Sequence, residues 1–266
     1  MRKPYPTDLS DAQWSRLQSC LPTPKAQGRP RTHSLRDVLD AIFYVLKSGC
    51  HWRLLPHEFP PWSTVYYHFR RFRLSGLWSL ILKALHAAER KRAGKDPQPT
   101  AAIMDSQSVK TVEESAHPSG YDAHKNLKGR KRHLLVDTLG LVLSVYVTSA
   151  DVQDRVGARC LLAGLKPFVP RLKKIWADGA YTGEKLAAWC KEQGGWELQI
   201  VERSSSGADT EGFAVLPQRW IVERTLSWLM RNRRLSKDYE QKVQTSETFI
   251  EVAMIRLILK RLEREV

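Results

Sequence analysis

Three carboxylates carry the chemical possibilities of this 266-residue chain: Asp105, Asp178 and Glu223. Asp105 closes the short apolar run TAAIMD (100–105), and Asp178 closes the strand-like LKKIWADG (172–179) just before a glycine. Glu223 lies on a helix-patterned stretch, where positions 216, 219, 223 and 230 fall on one face. Sites in open α/β sheets lie beyond the carboxyl ends of strands. Two acids meeting there, with a third from a packing helix, could hold a pair of Mg²⁺ ions about 3.5–4 Å apart. Such a pair suits the in-line displacement of a phosphodiester. Each acid also has a plainer reading. Asp105 before Ser106 can open a turn, and Asp178 before Gly179 can be the first residue of one. Glu223 can form an i,i+4 ion pair with Arg219, worth about 0.3–0.5 kcal/mol.

The elements that must position these acids fall in the second part of the chain. After TAAIMD, the runs GRKRHLLVDT (129–138) and LVLSVYVTSA (141–150) read as a hairpin turning at Leu139-Gly140. A helix (154–165), the strand ending in Asp178, a helix (182–194), a strand (196–203) and two helices follow, the first of them from Pro217. The order predicts a mixed five-stranded sheet, antiparallel first and parallel later, with flanking helices. The part before it reads as helices only. Ser10 caps one, Ser34 and Gly49 bound a second (34–49), Ser63 caps a third (63–76), and LWSLILKALHAAERKR forms a fourth. The charged, Pro-containing segment AERKRAGKDPQPTA separates the parts. The expected domains are therefore 1–93 (helical, DNA-binding), 94–100 (linker) and 101–266 (catalytic). The last helix, apolar at Phe249, Val252, Ile255 and Leu259, is expected to pack on the catalytic domain.

Charge indicates the partner. Lys and Arg number 43 against 28 Asp and Glu, a net +15. Residues 1–100 alone carry 17 basic and 7 acidic side chains. Such an excess points to a polyanion, and its asymmetry to a nucleic-acid grip in the helical part. The helix 63–76 interleaves Arg70, Arg71 and Arg73 with Tyr66, Tyr67, Phe69 and Phe72, as in the recognition helix of a helix-turn-helix. A solvated basic face is the plainer account of it. The run from Lys125 through Lys128, Arg130, Lys131, Arg132 and His133 reads as a second DNA-backbone contact near the site. Trp52, Trp62, Trp176, Trp220 and Trp228 are expected in the core. The four cysteines lack metal-site spacing, and no run is apolar enough for a membrane span or a secretory leader.

The motifs M-D-S-Q-S-V-K-T, W-A-D-G-A-Y and R-W-I-V-E-R-T-L-S-W-L-M-R-N-R-R-L, with G-R-K-R-H-L-L-V-D-T-L-G-L, A-D-V-Q-D-R and G-C-H-W-R-L-L-P, resemble a bacterial insertion-sequence transposase. The chain is similar to the DDE class with a ribonuclease H-like catalytic fold, in the group named after insertion sequence five. The resemblance implies a catalytic and metal-binding triad of Asp105, Asp178 and Glu223, using two Mg²⁺ ions, with Mn²⁺ as substitute and no ATP. It implies binding of terminal inverted repeats, cleavage of the element's ends and strand transfer into target DNA. The active complex would contain at least a homodimer, in the cytoplasm on nucleoid DNA and away from membranes. The family's helix signature places Arg219 and Glu223, but has Tyr where this chain has Leu216 and Lys where it has Met230. Arg231 and Arg234 lie close enough in sequence to supply the missing cation. The alternative is a catalytically silent DNA-binding protein derived from a transposase.

Overall fold

A computed structural model describes residues 2–23, 32–113, 118–201 and 218–264. The leucine at 216, the start of the helix at Pro217, the polar loop 204–212 and the end of the strand 196–203 lie outside the described residues. The chain divides into two compact units: Met1–Lys95 with Leu229–Lys237 and Thr248–Val266, and Asp96–Trp228 with Asp238–Glu247.

The first unit is helical. In α1 (Asp11–Gln18) the Ser10 hydroxyl accepts the Gln13 amide, and in α2 (Leu35–Ser48) Ser34 accepts the Asp37 amide. Gly49 ends α2 at φ +75, a conformation that glycine adopts without strain. Helix α2 is apolar on most of its circumference, and its Val38, Leu39, Ile42, Phe43, Val45 and Leu46 are fully buried. It therefore forms the axis of this unit rather than a surface helix. Helix α3 (Trp62–Leu74) starts one residue earlier than its pattern suggests, behind Pro61, and has no side-chain cap from Ser63. The connection from α2 spans residues 49–61 and contains a 3-10 turn, Trp52–Leu54. The tight turn instead follows α3, where only Ser75 and Gly76 separate it from α4 (Leu77–Arg92).

The apolar face of α3 buries Val65, Phe69 and Phe72. Phe69 stacks at 4.8 Å on Phe249, and Trp52 lies 6.0 Å from the same ring. Phe249 comes from the last helix, so that helix joins the helical unit, whereas sequence order assigned it to the catalytic part. Aromatic burial decides this, because each such ring removes more apolar area from water than an aliphatic contact. Arg234 is buried in this unit, donating to the Cys50 carbonyl at 3.0 Å with its guanidinium over the Phe249 ring. The expected phosphate contact of Arg234 is thus at odds with its burial, since its guanidinium is taken up within this unit.

The second unit is built on a mixed sheet. Its strands are β1 (Ala101–Lys110), β2 (Gly120–Asp122), β3 (Leu127–Asp137), β4 (Val142–Ser149), β5 (Lys174–Ala177) and β6 (Glu197–Ile200). β3 runs antiparallel to β1, with Ala102 opposite Asp137 and Lys110 opposite Gly129. β4 and the short β2 both pair along the other edge of β3. β5 is parallel to β1, and β6 is parallel to β5. This is the ribonuclease H-like arrangement expected, with six strands where five were read. The addition is β2, too short to leave a periodicity. The β3–β4 turn closes as its residues demand: Asp137 accepts the amides of Leu139 and Leu141 at 2.9 Å, and Gly140 takes φ +80.

Helices α5 (Asp154–Leu162), α6 (Glu184–Gly194), α7 (Arg219–Met230) and α8 (Val243–Glu263) complete the chain. Leu161, Leu162, Ile175, Leu186, Cys190 and Trp196 form one buried cluster with Ala102, Met104 and Leu135. No described helix is long and apolar enough to cross a membrane. None of the five tryptophans expected in the core is buried: Trp62 and Trp220 are exposed, and Trp52, Trp176 and Trp228 are only partly buried, whereas Trp78 and Trp196 fill the core. Trp62 and Trp220 each lie against an arginine, Arg53 and Arg224 respectively.

β3 corrects the expected basic contact. Past its first residues it is covered on both faces, so Arg130, Arg132 and His133 are buried, while Lys128 is exposed at its start. Arg130 donates to the Asp238 carboxylate at 2.9 Å and to three carbonyls, those of Pro118, Glu240 and Gln241. Arg132 is buried beside it, and burial lowers its pKa to about 10 against the pull of Asp238 and Glu240. His133, also buried, faces Thr148 Oγ1 at 3.0 Å. It also faces Gly157 of α5, where an added Cβ would come within 2.1 Å of the imidazole. None of Arg130, Arg132 and His133 can reach DNA. Burial pushes the His133 pKa from 6.5 down to about 4, ahead of the opposing pull of Asp154. The unfolded chain therefore takes up a proton below about pH 6.5 that the folded chain refuses until about pH 4. Stability should fall across that window by about 3 kcal/mol from this residue. Urea unfolding of wild type and His133→Gln at pH 7.5 and pH 4.5 checks it, the variant losing distinctly less.

Candidate functional site

The site begins where β5 stops. β1 and β5 pair in parallel through Ile103 and Trp176, and Asp105 and Asp178 each lie two residues beyond that pair. Asp105 is therefore mid-strand in β1 rather than at its end. The strand continues to Lys110 against β3, and beyond the β5 pairing its other edge is next met at its end, where the Asp238 amide donates to the Lys110 carbonyl at 2.8 Å. Asp105 Oδ1 accepts the Ser106 amide at 2.7 Å. Asp178 does begin a turn, as its plainer reading held. Its Oδ1 accepts the Ala180 amide at 3.0 Å and caps the 3-10 turn Gly179–Tyr181. That cap fixes the carboxylate and leaves Oδ2 facing the open cleft.

The cleft is lined by Asp105, Ser106, Asp122, Lys125, Lys131, Asp154, Asp178, Tyr181 and Arg219, among others. Burial raises the Asp105 pKa from 3.8 to about 6, and the negative charge of Asp178 adds to it against Arg219 and Lys125. Two acids that repel in a half-buried cleft, both hard oxygen donors, suit a divalent cation such as Mg²⁺. Glu223, on α7, is half exposed and does not line the cleft. Arg219 Nη2 lies between, 3.4 Å from Asp178 Oδ2 and 3.6 Å from Glu223 Oε1. Among the described residues no three His, Cys, Asp or Glu side chains are grouped to enclose a metal ion. The donor chemistry fits a divalent cation at the Asp105–Asp178 pair, and the third carboxylate is tied in through Arg219.

Sequence reading passed over two further acids. Asp154, the first residue of α5, accepts the Ser106 hydroxyl at 2.7 Å and pairs with Lys131 at 3.3 Å. Asp122 accepts the Ser108 hydroxyl and the amides of His124 and Lys125. Burial works against its ionisation, but these donors and the nearby lysines hold its pKa below 3.8. Asp154 had a signal in A-D-V-Q-D-R, where an acid opens a helix directly after a strand. Asp122 had none, because β2 is only three residues long. Tyr181 is buried beneath the cleft, and burial together with Asp105 and Asp154 raises its phenol well above the usual range.

The remaining sequence-predicted residues lie elsewhere. Lys128 is exposed at the start of β3. In the helical unit Arg70 and Arg71 are exposed on α3 beside Tyr67, and Arg73 is half-buried. Arg231 is exposed just after α7.

Comparison with known proteins gives two family matches in sequence order. A model described as "Putative transposase of IS4/5 family" matches residues 9–82, and one described as "Transposase DDE domain" matches residues 96–258. A Burkholderia cepacia protein named "Putative transposase for insertion sequence element IS402" is 24% identical over 143 residues, 51% of this chain and 65% of the relative. The chain thus spans about two thirds of that relative's length. A second protein from the same element, an uncharacterized 16.2 kDa protein, is 30% identical over 118 residues, 42% of this chain and 77% of the relative. Among solved structures, the Mos1 mariner paired end complex with Mn matches at TM-score 0.31 and 11% identity, covering 94% of this chain and 84% of that one. A pre-cleavage Mos1 transpososome matches at 0.33 and 10%, with the same coverage.

The raised pKa of Asp105 has a consequence for stability. Above pH 6 its charge is held in a place that disfavours it, whereas in the unfolded chain it ionises from pH 3.8. Asp105→Asn should therefore stabilise the metal-free protein by about 1–3 kcal/mol at pH 8. The gain should fade as pH falls toward 4. Thermal melts at both pH values in chelator measure it, and an unchanged or lower midpoint at pH 8 contradicts the electrostatics.

Proposed function

The chain belongs to the family of transposase DDE domains, and on that premise we propose that it is a DNA transposase of a bacterial insertion sequence. It binds the element's terminal inverted repeats, cleaves the ends and joins them to target DNA. The observation that carries this reading is the pair Asp105 and Asp178 meeting in one cleft where β5 ends, inside the segment that the family model matches. Asp105, Asp178 and Glu223 would hold Mg²⁺, or Mn²⁺ in its place, two ions per site, which would supply charge neutralisation and activation for displacement at phosphorus.

Cleavage and strand transfer are both phosphoryl transfers, so positioning and electrostatics carry most of the catalysis. Lys125, Lys131 and Arg219 give the cleft a cationic wall, and Lys128 lies exposed at the start of β3. A phosphodiester backbone is the anion that such a wall accommodates. In the helical unit, Arg70 and Arg71, exposed on α3 beside Tyr67, supply duplex phosphate contacts. Arg73 and Arg231 flank that function at the ends of their helices. Cutting two ends together calls for two sites, hence a second copy of the chain, acting on nucleoid DNA in the cytoplasm.

The second reading is a DNA-binding protein that has lost its chemistry. It is favoured by Glu223 being tied to Arg219 instead of grouped with the two aspartates. Incubation of the protein with Mg²⁺ or Mn²⁺ and a duplex carrying the element's end separates the two. Nicking at the end, reduced to background in Asp105→Ala, Asp178→Ala and Glu223→Ala, is the expected result. Tight binding with no cut in either metal sinks the enzyme reading in favour of the second. Duplex affinity should also drop about 10³–10⁵-fold between 50 and 200 mM salt if roughly 6–10 phosphates are neutralised. Replacing Arg70 and Arg71 with Gln should flatten that slope by about one unit per lost contact.

A further inference from the structure

Arg219 is badly placed for a helix residue. It is the first residue of α7, where the exposed amides make the helix end positive and a cation is unfavourable. The residue before it, Gln218, takes φ +77, a left-handed conformation that a side chain adopts only under constraint. What holds the guanidinium there is negative charge. It lies 3.4 Å from Asp178 and 3.6 Å from Glu223, and its field also reaches Asp105. Both contacts are longer than a good charge-assisted hydrogen bond, and the Arg219 side chain is about one fifth exposed. Among the described residues Glu223 pairs with Arg219. An i,i+4 helix pair would account for Glu223 alone, but not for the reach across to Asp178 on a different element.

We infer that Arg219 is the tethered counter-ion of the metal-free site, displaced when a divalent cation binds the carboxylates and thereby released toward the DNA strand. The inference rests on the reading of Asp105, Asp178 and Glu223 as metal-holding. One guanidinium faces the Asp105–Asp178 pair, which repels across a half-buried cleft, and Glu223 beside it. Its charge cannot leave by deprotonation, so the side chain must move when a second cation arrives. A divalent ion carries twice the charge, packs closer and repels the guanidinium once seated. Released, the planar fork is suited to pair with two phosphate oxygens at once. Metal loading and the grip on DNA are thereby coupled through a single side chain, with no hinge or domain motion. Glu223 is freed in the same event to join the two aspartates.

The test uses the full chain without DNA, with Mn²⁺ as the probe. Calorimetric titration of wild type and Arg219→Gln should show Mn²⁺ bound about tenfold more tightly by the variant, because a competing cation is gone. The metal-free variant should melt at a lower temperature than wild type and regain more on adding Mn²⁺. Equal or weaker Mn²⁺ binding by Arg219→Gln, with wild type binding normally, overturns the inference alone. Absence of Mn²⁺ binding in both proteins overturns the metal-site reading and the inference with it. A second measurement needs no variant: the rate at which an arginine-directed dicarbonyl modifies Arg219 in wild type, followed by peptide mass spectrometry. Mn²⁺ should accelerate modification at Arg219 several-fold while leaving Arg70 and Arg71 unchanged. Slowing, or no change, overturns the displacement.

Discussion

The catalytic unit depends on a mismatch of strand lengths. β1 is ten residues long and β5 only four, and they pair through Ile103 and Trp176. Up to that point β1 has a neighbour on both edges, and its Ala102, Ile103 and Met104 are buried. Past it β1 keeps β3 on one side, while its other edge has no strand partner among the described residues until Asp238 meets its end. A polar side chain at 105 is tolerable only because the second neighbour has ended. The same ending places Asp178 beside it, since β5 must turn where its pairing stops. Neither acid is brought in by a mobile loop. Both follow from how far one parallel ladder extends, so the sheet itself fixes their positions.

The net charge of +15 has to be divided before it describes a partner. Part of it is internal. Arg130 is neutralised by Asp238 and three carbonyls, and Arg234 is taken up by the Cys50 carbonyl and an aromatic ring. These side chains are structural ties whose loss would leave buried partners unsatisfied. What remains for a polyanion is the exposed set on α3, the open start of β3 and the cationic wall of the cleft. The densest basic run in the sequence is thus split: Arg130 and Arg132 are buried, while Lys125 and Lys131 line the cleft and Lys128 is exposed.

Legibility followed the range of the interactions. The caps at Ser10 and Ser34, the glycine ending α2 and the Asp137–Gly140 turn depend on residues a few positions apart, and all could be read. The alternation of antiparallel and parallel strands was legible from element order. The destination of α8 was not, because it depends on Phe249 finding Phe69 across the chain. Burial on both faces of β3 was also invisible, since a run of Lys and Arg hides the signature that a central strand normally shows. The acids Asp105 and Asp178 were readable because each ends an apolar run. Asp122 and Asp154 reach the same cleft through hydrogen bonds to Ser108 and Ser106, pairings that no spacing rule connects.

Elsewhere local preference and global fold agree, so the places where they conflict are informative. Three conflicts fall in or beside one cleft. Asp105 puts a charge inside a strand, where burial disfavours its ionised form. Arg219 puts a cation at the positive end of a helix, and Gln218 supports it with a left-handed backbone. Each is destabilising alone, and each is partly offset by the others, because the cation that the helix rejects is the one that the carboxylates require. A core built only for stability would remove the acids and the arginine together, as apolar replacement of buried ion clusters is often neutral or better. Asp105, Asp178 and Arg219 meet in one cleft, so the strain of each is borne against the charge of the others rather than against solvent.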